Sequence, residues 1–289
     1  MNSKPIDKNL EIFIHGWSGA IAGAVSTLML YPMENLKTRL QTNKQNKSMY
    51  QIVKQVYKNE DIIGFYKGMT PMLIGNFISY GIYFFWYQFF KDLMKIQNGD
   101  NVGYLKASFL SGIITTIGTN PFWVVQTRMI LGHENFIQTV EKMFKNEGIN
   151  SLFRGLSASL ILVINPIIQF IAYEYLKARL SQSQIIKSKF LLFFICGAIS
   201  KAIATFITYP YQVIRTFQHI DKNKKFLSIS DILKSIYQQQ GFSGFFKGLT
   251  PKLQQTVLNS AFMLAFYEKI VNQITQIFLI LFKLKQTQK

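Results

Sequence analysis

The segment PMENLKTRLQ, which begins at Pro32, decides how this chain is built, because two similar segments follow it. They are PFWVVQTRMI from Pro121 and PYQVIRTFQH from Pro210, so the prolines stand 89 residues apart each time. Each segment closes an apolar stretch and opens a basic one. A fixed period of this kind predicts one structural unit used three times.

Two further landmarks recur in the same order within each unit. An element made of an aromatic residue, a basic residue and glycine ends at Gly68, Gly155 and Gly248, and Glu60, Glu147 or Gln240 stands eight residues earlier. A tyrosine with a polar residue follows at Tyr87-Gln88, Tyr173-Glu174 and Tyr267-Glu268. The sequence therefore predicts a single domain of three repeats at approximately 10–98, 99–185 and 186–289.

The composition is typical of a protein whose solvent is lipid. Apolar residues make up 49% of the 289 residues, and only 16% are charged. Polar residues interrupt every apolar stretch, but six stretches are long enough for helices: Ile12–Tyr31, Met69–Phe90, Leu105–Asn120, Leu156–Leu176, Phe190–Tyr209 and Leu249–Leu281. We expect an all-α membrane protein with six transmembrane helices in three pairs.

Short amphipathic stretches lie between the members of each pair. They are Tyr50–Lys58, Phe136–Lys145 and Ile229–Tyr237, and their pattern suits helices that lie flat at a membrane surface. The chain has 32 basic and 14 acidic residues, a net charge of +18. Anionic lipid headgroups and an anionic solute are the expected partners. Nucleic acid is excluded, because the basic residues are scattered and no zinc-binding or RNA-binding signature organises them.

The three equally spaced prolines are expected to kink or break their helices at equivalent depth. Just past Pro32, Glu34 and Lys37 lie one helical turn apart. With threefold pseudosymmetry, such charges could pair between neighbouring repeats and close one end of a central cavity. For one charged pair a solvated helix end would be the simpler interpretation, but recurrence after three prolines favours the gate.

Enzymatic functions find little support in the sequence. His15, His133 and His219 lie at segment ends without metal-ligand spacing, and no glycine-rich phosphate loop is present. The single cysteine, Cys196, is interpreted as a packed, inert thiol. We expect no catalytic residues, no metal and no resident cofactor. The first residues read as neither a secretory signal nor a transit peptide, so any targeting signal is expected to be internal.

These landmarks together resemble the mitochondrial carrier family of solute transporters, whose threefold pattern is proline, x, acid, x, x, base, followed by acid-glycine and aromatic-basic-glycine elements. The resemblance covers essentially the whole chain. It implies six transmembrane helices around a central cavity, three surface helices, and alternating access between two gates. The strings NPFWVVQTR at Asn120, INPIIQFIAYE at Ile164, SKAIATFITYPYQ at Ser200 and GLTPKLQQTVLNSAFMLAFYEK at Gly248 look closer to the peroxisomal branch that carries adenine nucleotides, coenzyme A, NAD and FAD.

The resemblance also implies a gate on the matrix side, and this chain departs from its pattern. The acid positions hold Glu34, Trp123 and Gln212, and the base positions hold Lys37, Gln126 and Arg215. Pairing each acid with the next repeat's base would join Glu34 to Gln126, Trp123 to Arg215, and Gln212 to Lys37. No full salt bridge would survive, so hydrogen bonds and a cation–π contact are expected to hold this gate.

The opposite gate of the family uses the even-numbered helices. Its acid positions hold Gln88, Glu174 and Glu268, and its base positions hold Lys91, Lys177 and Val271. Cyclic pairing would leave Glu268 with Lys91 as the one ion pair. Two weak gates lower the barrier between the two closed states and also the stability of each.

Substrate contacts are implied near the midpoints of the even helices, where the chain offers Asn76, Asn165, Gln169 and Gln255. Lys201, in the middle of an apolar helix, is the candidate ligand for a phosphate group. The alternatives are that Lys201 snorkels or pairs with a carboxylate on a neighbouring helix. Asn165 and Gln169 lie on one helical face, for which interhelical packing is the alternative.

Two functions remain open at this point. The first is exchange of an anionic adenine-containing nucleotide or cofactor across an organelle membrane, the mitochondrial inner membrane by family default or the peroxisomal membrane as the alternative. The second is a carrier-like subunit of a larger membrane assembly that has weakened or lost transport, which the thin gates suggest.

Overall fold

The computed structural model describes residues 8–43, 45, 47–97, 99–183, 188–221 and 228–287. Within these ranges all regular structure is helical: there are ten α-helices and three short 3-10 helices, and no strand occurs. The expected all-α fold is confirmed.

The repeats follow one order of a long helix, a surface helix, a 3-10 helix and a second long helix. Repeat 1 contains α1 (Lys8–Gln41), α2 (Met49–Glu60), a 3-10 helix (Ile62–Tyr66) and α3 (Met69–Leu93). Repeat 2 contains α4 (Asn101–Leu131), α5 (Phe136–Glu147), a 3-10 helix (Ile149–Phe153), α6 (Leu156–Leu162) and α7 (Asn165–Ser183). Repeat 3 contains α8 (Lys189–Ile220), α9 (Ile229–Gln240), a 3-10 helix (Phe242–Phe246) and α10 (Leu249–Thr287).

The first helix of each repeat continues through its proline. Pro32, Pro121 and Pro210 lie inside α1, α4 and α8, so none of them ends its helix. The basic segments after the prolines are therefore helical too. Of the two outcomes expected at each proline, a kink or a break, the structure excludes the break. The residues beyond each proline remain good helix formers, although their low hydropathy marks the end of the lipid-facing part.

The second long helix of repeat 2 is broken, which corrects the single helix expected over Leu156–Leu176. Val163 and Ile164 form a turn between α6 and α7, in which the Ile164 amide donates to the carbonyl of Ile161 at 3.2 Å. Pro166, two residues later, has no amide hydrogen to continue the α-helical ladder. The helix therefore restarts at Asn165.

Two of the described stretches, Ile149–Ser181 and Leu191–Ile220, are long and apolar enough to cross a membrane, by length and composition. The surface helices bury one side through residues four apart, such as Ile52 and Val56 on α2 or Ile232 and Ile236 on α9. These side chains pack on the helix segments that follow the prolines, for example on Leu36 of α1. The expected amphipathic helices are confirmed.

By packing, the chain divides into two compact units, residues 1–31 with 254–289 and residues 32–253. In the first unit, the Ser26 hydroxyl donates to Asn259 Oδ1 at 3.1 Å and ties α1 to α10. In the second unit, small residues let helices approach closely. A Cβ atom on Gly112 of α4, for example, would lie 2.9 Å from the Val163 side chain. Small residues at such positions let membrane helices pack closely.

One backbone position sets repeat 1 apart. Asp61, after α2, has φ 57° and ψ −165°, while its counterparts after α5 and α9 are Gly148 and Gly241, also at positive φ. This region of backbone space is reserved almost entirely for glycine.

The variant Asp61→Gly should therefore be more stable than the parent, by about 1 kcal/mol, because backbone strain is removed. The thermal unfolding midpoint of the detergent-solubilised protein measures this. Gly148→Asp, the matched reverse change, should lower the midpoint. A lower midpoint for Asp61→Gly would show that its side chain is worth more than the strain.

Candidate functional site

A largely buried carboxylate holds together the three parts of repeat 1 that follow its proline. Both oxygens of Glu60, at the end of α2, accept from Arg39 of α1, at 2.9 and 2.7 Å. Lys67 of the aromatic-basic-glycine element lies 2.9 Å from the same carboxylate. Arg39 is itself oriented, because its Nε donates to Asn35 Oδ1 at 2.8 Å. This carboxylate clamp fixes α1, α2 and the start of α3 to one another.

Repeat 2 contains an equivalent carboxylate clamp. Glu147 of α5 accepts from Arg128 of α4 at 2.6 and 2.9 Å, and Arg154 lies 2.6 Å from it. The Nε of Arg128 donates to the backbone carbonyl of His219 at 2.9 Å, so this clamp also ties α4 to α8.

Both clamp carboxylates are held ionised. Burial would raise the pKa of Glu60 and of Glu147, but hydrogen bonds and charges from their basic partners outweigh burial and leave each pKa below its usual value. The stability gained is fully present above the ordinary glutamate pKa and is lost as the pH falls through the lowered values.

Repeat 3 replaces the clamp with neutral groups. Phe217 stands where the other repeats have arginine, and Gln240 stands in place of the glutamate. In the part of the chain that the structure describes, the buried Oε1 of Gln240 has no hydrogen-bond partner. A neutral network binds this region to α1 instead: Gln41 donates to the Tyr209 hydroxyl at 3.1 Å and accepts from Thr216 at 2.8 Å.

The arginines of these clamps, Arg39 and Arg128, were not among the predicted functional residues. The signal was present, because Thr38-Arg39 and Thr127-Arg128 stand at the same distance from their prolines. The third copy reads Thr216-Phe217 and hides the pattern.

On the expected matrix-side gate, Glu34 has partners other than the predicted one. One of its oxygens accepts from Lys37 of the same helix, and the other lies 3.4 Å from Lys252 on the first turn of α10. Gln126 does not take this place: its Nε2 is buried, and no described residue accepts a hydrogen bond from it. The predicted Glu34–Gln126 contact is therefore corrected to Glu34 with Lys37 and Lys252.

Trp123 and Arg215, the second expected gate pair, both line one cavity. Its volume is about 490 Å³, and Tyr83 and Pro166 contribute to its walls. The Trp123 indole nitrogen donates to Thr119 at 3.2 Å within α4. Gln212, at the third acid position, is half-buried on α8. The cation–π contact between Trp123 and Arg215 stays a prediction.

Two of the substrate candidates meet. The Lys201 ammonium donates to Asn165 Oδ1 at 3.1 Å, and the Asn165 amide donates to Thr208 at 2.8 Å. Among the described residues no carboxylate forms an ion pair with Lys201, so the alternative of a carboxylate partner is not what the structure shows. The other candidates, Asn76 on α3, Gln169 on α7 and Gln255 on α10, are half-buried.

The residues of the opposite gate contact neighbours on their own helices. Gln88 donates to Asp92 at 2.8 Å, and Lys177 lies 3.6 Å from Glu174. Lys91 is half-buried on α3. The side chain of Glu268 falls outside the described residues, so the Glu268–Lys91 pair stays a prediction.

Of the two histidines whose side chains the structure describes, one contributes to packing. His219 of α8 is buried against α4, with its Nδ1 3.0 Å from the Thr127 hydroxyl. His133 is exposed. The side chain of His15 falls outside the described part. Cys196 is buried, as expected. No group of metal-ligating side chains occurs among the described residues.

Three repeats of two long helices with a surface helix between them, and a cluster of cations near the ends of the first helices, define a membrane carrier. The chain belongs to the mitochondrial carrier family, since the family described as mitochondrial carrier protein matches residues 8–98, 97–184 and 187–277. This confirms the resemblance to the mitochondrial carrier family that the sequence motifs indicated.

Several relatives cover almost the whole chain. The peroxisomal membrane protein PMP34 of Mus musculus is 31% identical over 90% of this chain and 92% of its own. The peroxisomal adenine nucleotide carrier 1 of Glycine max is 30% identical over 91% of both chains. The mitochondrial nicotinamide adenine dinucleotide transporter 1 of Saccharomyces cerevisiae is 29% identical over 90% of this chain and 77% of its own.

The clamps give a direct test of what stabilises the fold. Glu147→Gln should lower the free energy of unfolding by about 3 kcal/mol, because two cations lose their buried partner. Glu141→Gln is the matched control, since its pair with Lys145 on α5 is exposed and should be worth less than about 1 kcal/mol. Thermal unfolding of both variants at neutral pH measures the difference, and equal effects would contradict the role of burial.

Proposed function

We propose that this chain exchanges an anionic adenine-containing nucleotide or cofactor (ATP, ADP, AMP, coenzyme A, NAD or FAD) across an organelle membrane by alternating access. The three repeats act together as one carrier domain. Family membership supports transport, and the names of the relatives, an adenine nucleotide carrier and a nicotinamide adenine dinucleotide transporter, support the substrate class. The substrate crosses unchanged, and no cofactor takes part.

The proposal that the substrate is an anion rests on the excess of positive charge around Glu34. Lys37, Arg215 and Lys252 all act electrostatically on this carboxylate, and Lys252 also acts on Lys201. Three cations thus act on the one carboxylate of Glu34, and Lys201 interacts with one of them, Lys252. Partly buried charges of one sign are costly unless a counter-ion compensates them. The phosphate groups of a nucleotide supply that compensation.

The rest of the nucleotide needs a surface that tolerates an apolar ring. The cavity of about 490 Å³ offers the aromatic side chains of Tyr83 and Trp123, with the Arg215 guanidinium in the same wall. Aromatic faces accept a flat base by stacking, and arginine binds phosphate. Trp123, at an acid position of the gate pattern, is therefore assigned to substrate contact as well as to the gate.

The two gates remain part of this proposal. The matrix-side gate comprises Glu34, Lys37, Trp123, Gln126, Gln212 and Arg215, and the opposite gate comprises Gln88, Lys91, Glu174, Lys177 and Glu268. We place the protein in the mitochondrial inner membrane or the peroxisomal membrane, since both organelles occur among the names of relatives. The remaining basic excess suits anionic lipid headgroups. The scaffold alternative is not favoured, because relatives that span the chain are named as carriers and transporters.

Uptake by liposomes that contain the purified full chain tests this proposal. We expect uptake of at least one labelled compound among ATP, ADP, AMP, NAD, FAD and coenzyme A, faster when the liposomes are preloaded with a related nucleotide. Uptake of none of them would overturn the proposal.

The role of Lys201 gives a second test in the same assay. Lys201→Gln should raise KM about tenfold with a smaller change in kcat, because one charged contact to the substrate is lost. Lys54→Gln, a matched change at an exposed lysine of α2, should leave KM unaltered. If Lys201→Gln matches Lys54→Gln, Lys201 does not contact the phosphate.

A further inference from the structure

Lys252 pairs with the gate residue Glu34, although the family pattern does not include this lysine in the gate. It stands outside the acid and base positions that follow the prolines, yet its Nζ lies 3.4 Å from Glu34 Oε2. The two residues are 218 positions apart in the chain. Their pair therefore joins the segment that follows the first proline to the beginning of the last helix.

The backbone explains why a lysine at this position reaches Glu34. Gly248 begins α10 with φ +81°, and a Cβ atom on it would lie only 2.9 Å from the backbone carbonyl of Lys37. The start of α10 thus touches the backbone of α1. Lys252 follows one helical turn later, its amide donating to the carbonyl of Gly248, and so its side chain arrives beside Glu34.

The ion pair between Lys252 and Glu34 is broken more easily than the ion pairs of the clamps. Its 3.4 Å separation exceeds the value of about 2.8 Å that is usual for charge-assisted hydrogen bonds. The side chains of Lys252 and Glu34 keep 26% and 19% of their exposure, against 23% and 11% for Lys67 and Glu60 in the clamp. A dissolved anion can therefore reach the pair of Lys252 and Glu34.

Lys252 also interacts with two other cations. It acts electrostatically on Lys37 and on Lys201, and both effects are repulsive. Glu34 offsets the first repulsion but is not among the groups that act on Lys201. An anion with several charged groups would relieve both repulsions at once.

We propose that Lys252 makes this carrier selective for the number of phosphates on its substrate, and that Glu34 occupies Lys252 while no substrate is bound. A phosphate displaces the carboxylate from Lys252 because it carries more charge and more acceptor oxygens. The ion pair between Glu34 of α1 and Lys252 of α10 is then broken, so that substrate binding favours opening. A diphosphate or triphosphate engages Lys252 together with Lys201, whereas a monophosphate engages one of them. The assignment of a nucleotide rests on the proposed function; the exchange at Lys252 does not.

The first test measures binding without transport. The thermal midpoint of the purified full chain is recorded with ATP, AMP or inorganic pyrophosphate for the parent, Lys252→Gln, Glu34→Gln and the control Lys54→Gln. We expect the parent and the control to be stabilised more by ATP and pyrophosphate than by AMP. Lys252→Gln should lose that preference, and Glu34→Gln should be stabilised by ATP at lower concentration, because the competing carboxylate is gone.

The second test separates selectivity from a structural role in liposome uptake. Lys252→Gln should raise KM for both substrates by different factors, and the factor for ATP should be about ten times the factor for AMP. Glu34→Gln should lower KM for ATP. If the pair were purely structural, Lys252→Gln would lower the thermal midpoint and would lower kcat to the same extent for every substrate. That outcome would overturn the proposal.

Lys252→Arg keeps the charge and covers the case in which Lys252→Gln does not fold. It should retain the preference for ATP over AMP, and loss of that preference would count against an electrostatic role. If the parent transports no nucleotide, the proposed function fails, but stabilisation by pyrophosphate that depends on Lys252 still supports the exchange. If neither ATP nor pyrophosphate stabilises the parent, the exchange at Lys252 is overturned.

Discussion

The need to compensate a buried carboxylate is the constraint on which this structure depends. Glu60 and Glu147 each sit in contact with two basic side chains, one from the helix that contains the proline and one from the element before the next helix. An unpaired charge in such a place would be far costlier than any loss of packing. Each clamp therefore holds the end of the surface helix and the element before the second long helix against the helix that contains the proline.

Symmetry supplies the frame, and departures from symmetry supply the chemistry. The equivalent positions Glu34, Trp123 and Gln212 lie on equivalent helices, yet they offer a carboxylate, an aromatic ring and an amide. One carboxylate beside a ring and several cations differs from a symmetric set of three salt bridges, because it leaves net positive charge for a ligand. The same three repeats can thus serve many substrates, because the frame does not depend on these side chains.

Much of the fold could be predicted from the sequence, because hydropathy and period report directly on helices in lipid. The break at Val163 and Ile164 could not, since it depends on how Pro166 interrupts the backbone bonds of an otherwise apolar run. At the site, Lys201 and Asn165 were predicted and do meet. Lys252 was missed because its meeting with Glu34 arises from the close approach of two backbones at Gly248, which no local pattern encodes.

The neutral network of repeat 3 gives the molecule a thermal asymmetry. Ion pairs lose less of their worth on warming than neutral hydrogen bonds do, because the hydration that competes with them weakens as temperature rises. The regions held by Glu60 and Glu147 should therefore keep their contacts longest, while the Gln41, Tyr209 and Thr216 junction loosens first. On heating, we expect the third repeat, in which Phe217 stands at the position of the clamp arginine, to lose its contacts before the other two repeats do.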